Sequence, residues 1–404
     1  MTAISSQAEQ ASIRMVIARA GTSRGLFLHG QDLPDAGPER DRLLVRLMGS
    51  PDVLQIDGLG GSRPITSKIA IIARSDRPDA DVDYTFAQVD PATGGIGYEG
   101  NCGNISAGVG PFAVDEKLVE VHEGSTQVRI YNTNTDKLLV ADVPVLGGAA
   151  AVEGDYVVPG VPGSGAEIGM NWSGTVGAKT GRLLPTGNAV DIIELEDGRR
   201  IEASCVDAAN PCVWVKGSDF GLDGTESAEQ INTSDALRAA VREARNKAAV
   251  LFGFADEWEK ADQQSPGLPM LGLVSAPVDY ITINGVQIRR EDMDVRLHLI
   301  FIGVLHESVA GTGSICFAAA SRTPGSVVHQ LAINTDRDVL LIGHPSGVTP
   351  TRAKAHPIPE APHVAFDDLG FSRTSRRIME GRAFYPRSLF TDAAATMPAA
   401  GATR

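Results

Sequence analysis

What this chain lacks narrows its function first. No run approaches the ~18 consecutive apolar residues a membrane span needs. The polar opening segment has no basic stretch followed by an apolar core, so no secretory signal is expected. Cysteine is sparse: Cys102, Cys205, Cys212 and Cys316, with no Cys-x-x-Cys pair. A chain of this size with so few cysteines is no disulfide scaffold or zinc knuckle, and reduced thiols in the cytoplasm are the default. Basic charge is in deficit, 36 Lys and Arg against 50 Asp and Glu, a formal net charge of −14. That argues against nucleic acid and anionic membrane surfaces as partners, though a local cationic pocket can still hold a small anion. The eight histidines are scattered, without a His-Glu-x-x-His motif or a pairing motif with cysteine. Metal-dependent hydration and a cysteine–histidine hydrolase are both disfavoured.

Aromatics make up only 5% of the chain, while glycine occurs 44 times. Tight turns and closely approaching backbones are expected. With 404 residues the chain has length for two or three domains.

The stretch Gly97-Tyr98-Glu99-Gly100-Asn101-Cys102-Gly103-Asn104-Ile105-Ser106-Ala107-Gly108-Val109-Gly110 organises the rest. A glycine-rich turn delivers one cysteine to a small-residue apolar segment that reads as a helix packed on all sides, running to about Leu118. A thiol at a helix N-terminus meets unpaired N–H groups and the positive end of the dipole, which favour thiolate. Cys102 is either an acid/base or nucleophile, or a buried structural cysteine beside a tight turn.

Residues 1–12 read as a disordered leader. Ile13 to Ala20 is a strand, then Gly21-Thr22-Ser23-Arg24-Gly25 a turn, then Leu26 to His29 another strand. The turn either grips a carboxylate through Thr22, Ser23 and Arg24 or is a polar turn with a solvated arginine. Pro38 to Met48 is a helix ended by Gly49-Ser50-Pro51. A Gly-rich loop feeds a strand from Ile65 to Ala73, apolar enough to be covered on both faces, in which Lys68 is the anomaly. It is either a solvated strand-end lysine or one held in a pocket. Further strands are Val82 to Val89, Gln127 to Asn132 and Lys137 to Val145.

A second half begins near Leu183. Strands Ala189 to Glu194 and Arg199 to Val206 lead to Asn210-Pro211-Cys212. Asn232-Thr233-Ser234-Asp235 caps an amphipathic helix, Ala236 to Phe252, with a solvated charged face. Strands Ala276 to Ile283 and Asp294 to Leu305 precede His306, then Gly311-Thr312-Gly313-Ser314 and another small-residue helix stopped at Thr323-Pro324-Gly325. Strands, a Gly-rich turn and an apolar helix thus occur twice, with Cys102 matched to Thr312. The expected architecture is α+β: two pseudo-symmetric domains, residues 13–182 and 183–370, each a curved or barrel-like sheet around a central helix. Residues 371–386 form a closing segment that returns to the first domain, and 387–404 a disordered tail. Both helix N-termini would then face a shared cleft.

An ordered set of motifs carries a resemblance over residues 13–386. It comprises Gly21-Thr22-Ser23-Arg24-Gly25, Met48-Gly49-Ser50-Pro51-Asp52, Gln55-Ile56-Asp57-Gly58-Leu59-Gly60-Gly61, Thr66-Ser67-Lys68 and Gly100-Asn101-Cys102-Gly103-Asn104. It continues through Leu184-Pro185-Thr186-Gly187-Asn188, Asn210-Pro211-Cys212, Gly343-His344-Pro345-Ser346-Gly347 and Arg376-Arg377-Ile378-Met379-Glu380-Gly381. Together they resemble the PrpF family, which includes methylaconitate cis–trans isomerase, methylitaconate and aconitate Δ-isomerases and oxalomesaconate tautomerase. The resemblance implies a diaminopimelate epimerase-like fold and proton transfer without cofactor or metal. The epimerase relatives use two cysteines, whereas the second turn here reads Gly311-Thr312-Gly313-Ser314, so a Lys-plus-Cys allylic isomerase is favoured over a racemase.

The expected reaction is a 1,3-allylic proton shift in a small unsaturated di- or tricarboxylate, with Lys68 as base, its pKa pulled toward neutrality, and Cys102 as second acid/base or a neighbour that shapes the pocket. Thr22, Ser23, Arg24, Ser67, Asn101, Gly103, Asn104 and Ser106 are candidate carboxylate donors in the first half. Asn210, His306, Thr312, Gly313 and Ser314 are those of the second. A keto-acid tautomerase and a carboxylate-binding accessory protein are the alternatives. The expected partner is a small anionic polycarboxylate, with a homodimer as the default assembly.

Overall fold

The alternation beginning near Ile13 forms a strand, β1 (Gln10–Ala20), that starts inside the expected leader. Its first residues are ordered by a distant partner: Gln10, Ala11 and Ser12 pair antiparallel with Pro386, Tyr385 and Phe384. A computed structural model of the chain describes residues 8–98, 102–158, 160–301 and 303–390. Arg387–Phe390 forms a short turn, and Arg387 Nε donates to Ala8 O at 2.8 Å, so the expected tail is structured at its start. By contacts the chain forms two units, Met1–Met170 with Ser372–Arg404, and Asn171–Phe371.

In unit 1, β1 turns at Gly21, whose φ of 52° suits glycine, into β2 (Ser23–His29). The expected five-residue turn is shorter than read. Only Gly21 and Thr22 make it, because Ser23, Arg24 and Gly25 already pair with Ala20, Arg19 and Ala18. Helix α1 (Pro38–Met48) opens on proline and closes on left-handed Gly49, as its ends in the sequence predict. Strand β3 (Lys68–Arg74) starts later than expected, since Pro64–Thr66 forms a 3-10 turn and Pro64 has no N–H for a ladder. β4 (Val82–Val89) lies antiparallel to β3, and β3 parallel to β2.

Side chains on these strands alternate between two faces. Leu26, Leu28, Ile69, Ile71, Ala87 and Val89 form one core with Leu43, Leu44, Leu47 and Met48 of α1. Phe27, Lys68, Ala70, Tyr84, Phe86 and Gln88 occupy the other face, toward a helical run. The single helix expected to reach Leu118 is two shorter ones, α2 (Gly103–Ser106) and α3 (Val109–Asp115). Between them the Ala107 and Gly108 amides bond three residues back, to Asn104 O and Ile105 O, which is 3-10 tightening. Glycine lets this run enter the sheet: a Cβ at Gly108 would stand 2.6 Å from Phe27 Cζ, and one at Gly110 2.7 Å from Val143 Cγ2. β5 (Ile96–Gly97) pairs with β4, β6 (Gly124–Asn132) lies parallel to β4, and β7 (Lys137–Leu146) antiparallel to β6.

At the far end of α3, the buried Glu116 carboxylate accepts from His29 Nε2 (3.0 Å) and Arg377 Nη2 (2.9 Å) and pairs with Arg14 Nη2 (2.9 Å). Burial pulls this carboxyl up. The hydrogen bonds from His29 and Arg377, with the Arg14 and Arg377 charges, outweigh it and hold the group below the ordinary 4.5. A depressed carboxyl stabilises the fold above its unfolded pKa and stops doing so as pH falls through its folded one. Glu116→Gln is therefore expected to lower Tm at pH 7, and the gap from the parent to close as melts are taken from pH 4.5 downward.

Unit 2 repeats the succession of pairings. Strand Arg200–Ala208 is antiparallel to Asn210–Lys216, which is parallel to Met270–Ser275. That strand is antiparallel to Val295–Phe301, which is parallel to Val339–His344, itself antiparallel to Gly347–Pro357. The antiparallel, parallel, antiparallel, parallel, antiparallel order is that of β1, β2, β3, β4, β6 and β7. Helix Gly311–Arg322 is buried from Thr312 onward and packs on three of these strands. Helix Asp235–Leu251 lies on the opposite face, capped by Ser234 Oγ, which accepts from the Leu237 N–H. Two expected strands change. Ala276 to Ile283 contributes only Tyr280–Ile281, Pro277 having no N–H to give, and Asp294 to Leu305 is a hairpin of Val295–Phe301 and Val304–Leu305. Each unit is thus an α+β body with a helical run in its interior, two short helices in unit 1 and one longer helix in unit 2. Among the described residues no helix is long and apolar enough to cross a membrane.

Candidate active site

Lys68 opens β3 on the face that carries the interior helix. It sits beside Gly25 of β2 and opposite Gln88 of β4. Its Nζ donates to Gln88 Oε1 at 2.8 Å and lies 5.1 Å from the Phe86 ring centre. No carboxylate of a described residue pairs with it. The Gly-rich loop before it is tied to one buried side chain, Gln55. Gln55 Oε1 accepts from the Ser62 N–H and the Ser67 hydroxyl, both at 2.8 Å, and its Nε2 donates to Ser50 Oγ at 3.2 Å. Gly60 makes room, since a Cβ there would fall 2.2 Å from Gln55 Oε1.

Two of the expected carboxylate donors, Ser67 and Arg24, lie as follows. Ser67 is fully buried and its hydroxyl proton is shared between Gln55 Oε1 and Arg63 O, so it braces the loop rather than reaching a substrate. Arg24 shares the face of Leu26, opposite that of Lys68, and a Cβ at Gly61 would meet its Nη2 at 2.6 Å. Ser23 is buried beside the helix face, 4% exposed.

Cys102 immediately precedes α2 and is partly exposed, whereas Cys205, Cys212 and Cys316 are buried. Ser106, fully buried, donates its hydroxyl to Cys102 O at 3.0 Å and belongs to the helix start rather than to a ligand. Asn101 lies outside the described residues. Gly103 is the first residue of α2 and Asn104 the second. Asn104 Nδ2 donates to Thr22 Oγ1 at 2.9 Å, and Asn104 Oδ1 accepts from Arg373 Nε at 3.1 Å. A Cβ at Gly21 would stand 2.1 Å from Asn104 Oδ1, so glycine is required for this contact. Two titratable neighbours interact electrostatically with Cys102. Burial and the Cys102 charge push the Tyr84 phenol well above its usual range. Burial lowers the Arg373 guanidinium, and Tyr156 and Cys102 pull it partly back.

Gln55, Gln88 and Arg373 escape a sequence reading. The amides carry no chemical signature, and their partners are set by loop closure and strand register. Arg373 had one available signal. Ser372-Arg373-Thr374-Ser375-Arg376 repeats the hydroxyl-and-cation composition of Thr22-Ser23-Arg24 in the segment expected to return to the first domain.

In unit 2, Asn210 opens a strand, and its Nδ2 donates to Thr312 Oγ1 at 3.0 Å. The contact parallels Thr22–Asn104: a hairpin end joined to the second residue of the interior helix. Ser314 is buried and donates to Gly311 O at 2.8 Å, and Gly313 packs against Leu299 and Met270. His306 Nδ1 accepts the Ser308 N–H at 3.1 Å. A backbone N–H can only donate, so neutral His306 carries its proton on Nε2 and offers a donor there. Behind it, Ser346 of the Gly343–Gly347 motif donates its hydroxyl to Glu307 O. His344 is held neutral, near pKa 4, by burial and then by Arg296 and His306. Strand register corrects the match between halves. Cys102 precedes Gly103 as Ala310 precedes Gly311, and Lys68 pairs with Gly25 as Met270 pairs with Cys212. The unit 2 counterparts of the thiol and the lysine are an alanine and a methionine. Cys316 lies inside the helix, its Sγ donating to Val206 O. Among the described residues no three His, Cys, Asp or Glu side chains gather as a metal-ligand set.

Comparison with known proteins agrees along nearly the whole chain. It is 46% identical over 382 residues to the 3-methylitaconate isomerase of Eubacterium barkeri, covering 94% of this chain and 99% of the relative. It is 36% identical over 374 residues to the 4-oxalomesaconate tautomerase of Pseudomonas putida, covering 92% and 96%. A crystal structure of methylitaconate-delta-isomerase superposes with a TM-score of 0.91 at 46% identity, over 97% of this chain and 100% of that one. The family model described as PrpF protein matches residues 10–386, and the chain belongs to that family.

Proposed function

We propose that the protein is an isomerase that moves a proton along an allylic system in a small unsaturated di- or tricarboxylate. Methylitaconate, aconitate and methylaconitate are the first substrates to consider, and an oxalomesaconate-type keto acid the second. Lys68 removes a proton from the carbon next to the C=C bond. The electron pair delocalises into a dienolate held by the adjoining carboxylate. Cys102 returns a proton two carbons away, and the double bond has moved. Rotation about a bond of the dienolate before the proton returns gives a cis–trans change instead. The proton Lys68 takes up and the proton Cys102 gives exchange with solvent, so each turnover balances without oxidant or reductant.

The observation that carries this reading is the pairing of Lys68 with a neutral amide and an aromatic ring instead of a carboxylate. Lys68 is thus held in place with no negative charge of a described residue beside it, an arrangement suited to a general base. Arg373, Asn104 and Thr22 are the substrate-carboxylate donors from unit 1. The activities by which the relatives are named, an isomerase of methylitaconate and a tautomerase of oxalomesaconate, support the substrate class. The reading includes no cofactor or metal. It also takes the enzyme as cytoplasmic, in line with four free thiols, and as a homodimer, the commonest assembly of soluble chains.

Proton NMR in D₂O, with purified protein and each of methylitaconate, trans-aconitate and methylaconitate, tests it. Deuterium is expected at an allylic carbon together with a displaced double bond. Exchange confined to oxalomesaconate would favour the tautomerase. No exchange with any of the four would overturn the enzyme in favour of a carboxylate-binding accessory protein.

A further inference from the structure

We infer that Gln88 is a positioning residue for the Lys68 base: it aims the lysine nitrogen without placing a charge beside it. The inference rests on the reading of Lys68 as the base. Gln88 faces Lys68 directly across the β3–β4 ladder. Its amide cannot be reversed. Gln88 Nε2 lies at hydrogen-bond distance from three carbonyl oxygens, Pro64 O and Ser67 O at 3.0 Å and Val89 O at 3.3 Å. An amide oxygen there would face three carbonyl oxygens with nothing to donate, whereas the two N–H groups of an NH₂ can be given to them, so Oε1 is the atom turned to Lys68 Nζ at 2.8 Å. Two of those carbonyls belong to the segment that precedes Lys68, so one side chain fixes both the lysine's backbone entry and its tip. The second end of that segment is held by Gln55 through Ser67 Oγ and Ser62 N.

The charge of the partner decides what the lysine can do. A carboxylate at this distance favours the ammonium, and an amide oxygen accepts the hydrogen bond without adding a charge. Other titratable groups on the elements packed around β3 do not supply one. Near its Lys68 end stand Arg24, one residue before the Gly25 that pairs with Lys68, and Asp90, two residues past Gln88, whose Oδ1 is taken up by the Ala92 and Thr93 N–H groups at 2.8 and 3.0 Å. Tyr84 pairs with Ile72 toward the other end, and Cys102 precedes α2. Asp83 pairs with Ala73, and Asp32 follows His29, which pairs with Ile72. Both carboxylates therefore belong to the other end of the strand, ~13 Å away at the usual rise. Asp115, at the end of α3, lies by Ala150 and Arg377.

Three variants test the inference through pH profiles and kcat against KM. Gln88→Glu keeps the length and adds the charge. Its acid limb of kcat is expected to move up by about 1–3 in pH, with activity lost at pH 7 and recovered in alkaline buffer. Gln88→Met removes both hydrogen-bonding ends. It is expected to lose about 10²-fold in kcat at every pH with KM little changed, because the base is no longer aimed. Gln88→Asn is expected to fall between Met and the parent. Thermal melts show which variants remain folded, and the comparison between Glu and Met at high pH holds even if both are destabilised. A Gln88→Glu profile that superposes on the parent, or a Gln88→Met enzyme with parental kcat, overturns the inference. If Lys68→Met is itself active, the reading of the base fails. If Lys68→Met is inactive while the Gln88 variants behave as the parent, only the role of Gln88 fails.

Discussion

Lys68→Met is expected to fold like the parent and to lose roughly 10³–10⁴-fold in kcat, the upper part of what a positioned general base contributes. The folding half of that expectation follows from how little Lys68 holds together. Its ammonium makes one hydrogen bond, to Gln88 Oε1, and rests over one ring, Phe86. Methionine fills similar space on the same face, and the Gln88 amide keeps its three carbonyl partners. The loss is on the order of one hydrogen bond from a charged donor, about 1.5–3 kcal/mol at most for this half-buried group. Lys68→Arg is the sharper companion. It preserves charge and hydrogen bonding but cannot lose its proton near neutrality, so it should be as inactive as methionine. Substrate turnover followed by NMR, beside a thermal melt, reads both. An arginine variant with a tenth or more of parental kcat would mean the lysine acts as a cation and not as a base.

Cys102 carries the second large effect. Cys102→Ala is expected to lower kcat by about 10²–10⁴-fold if the thiol returns the proton. Serine separates chemistry from shape: it restores a hydrogen-bonding group of similar size but is a far weaker acid than a thiol. A proton-transfer role predicts Cys102→Ser as inactive as alanine; a shaping role predicts Ser near the parent. Labelling gives an independent reading. Cys205, Cys212 and Cys316 are fully buried and Cys102 is not. Burial also pushes the Cys205 and Cys212 thiols well above their ordinary range. Iodoacetamide should therefore modify one thiol first, abolish turnover as it does so, and be slowed by a polycarboxylate that covers the site. Full activity after stoichiometric modification of Cys102 would remove it from the chemistry.

Much of this site is legible in the amino-acid sequence. Lys68 stands out as a lysine in an apolar strand, and Cys102 as a thiol between a glycine turn and a small-residue helix. The ends of α1 follow from Pro38 and Gly49 alone. What resists reading depends on distance along the chain. Gln10 to Ser12 look like leader because the strand that orders them lies at Phe384–Pro386. Arg373 meets Asn104 only through the return of the C-terminal segment. Small hydroxyls mislead in the opposite sense. Ser67, Ser106 and Ser314 sit in glycine-rich motifs that suggest ligand contact, yet each donates to an oxygen of its own chain. A serine's short side chain satisfies local backbone as readily as a substrate, and composition does not distinguish the two.

The counterparts of Lys68 and Cys102 in unit 2 are Met270 and Ala310, on the same succession of strands. On the proposed reading of Lys68 and Cys102, a doubled scaffold carries its proton chemistry in one copy only. On that reading, changes in the second copy leave the two reacting residues untouched, and its sequence is free to diverge without altering them. Two copies of one scaffold then come under different selection within a single chain.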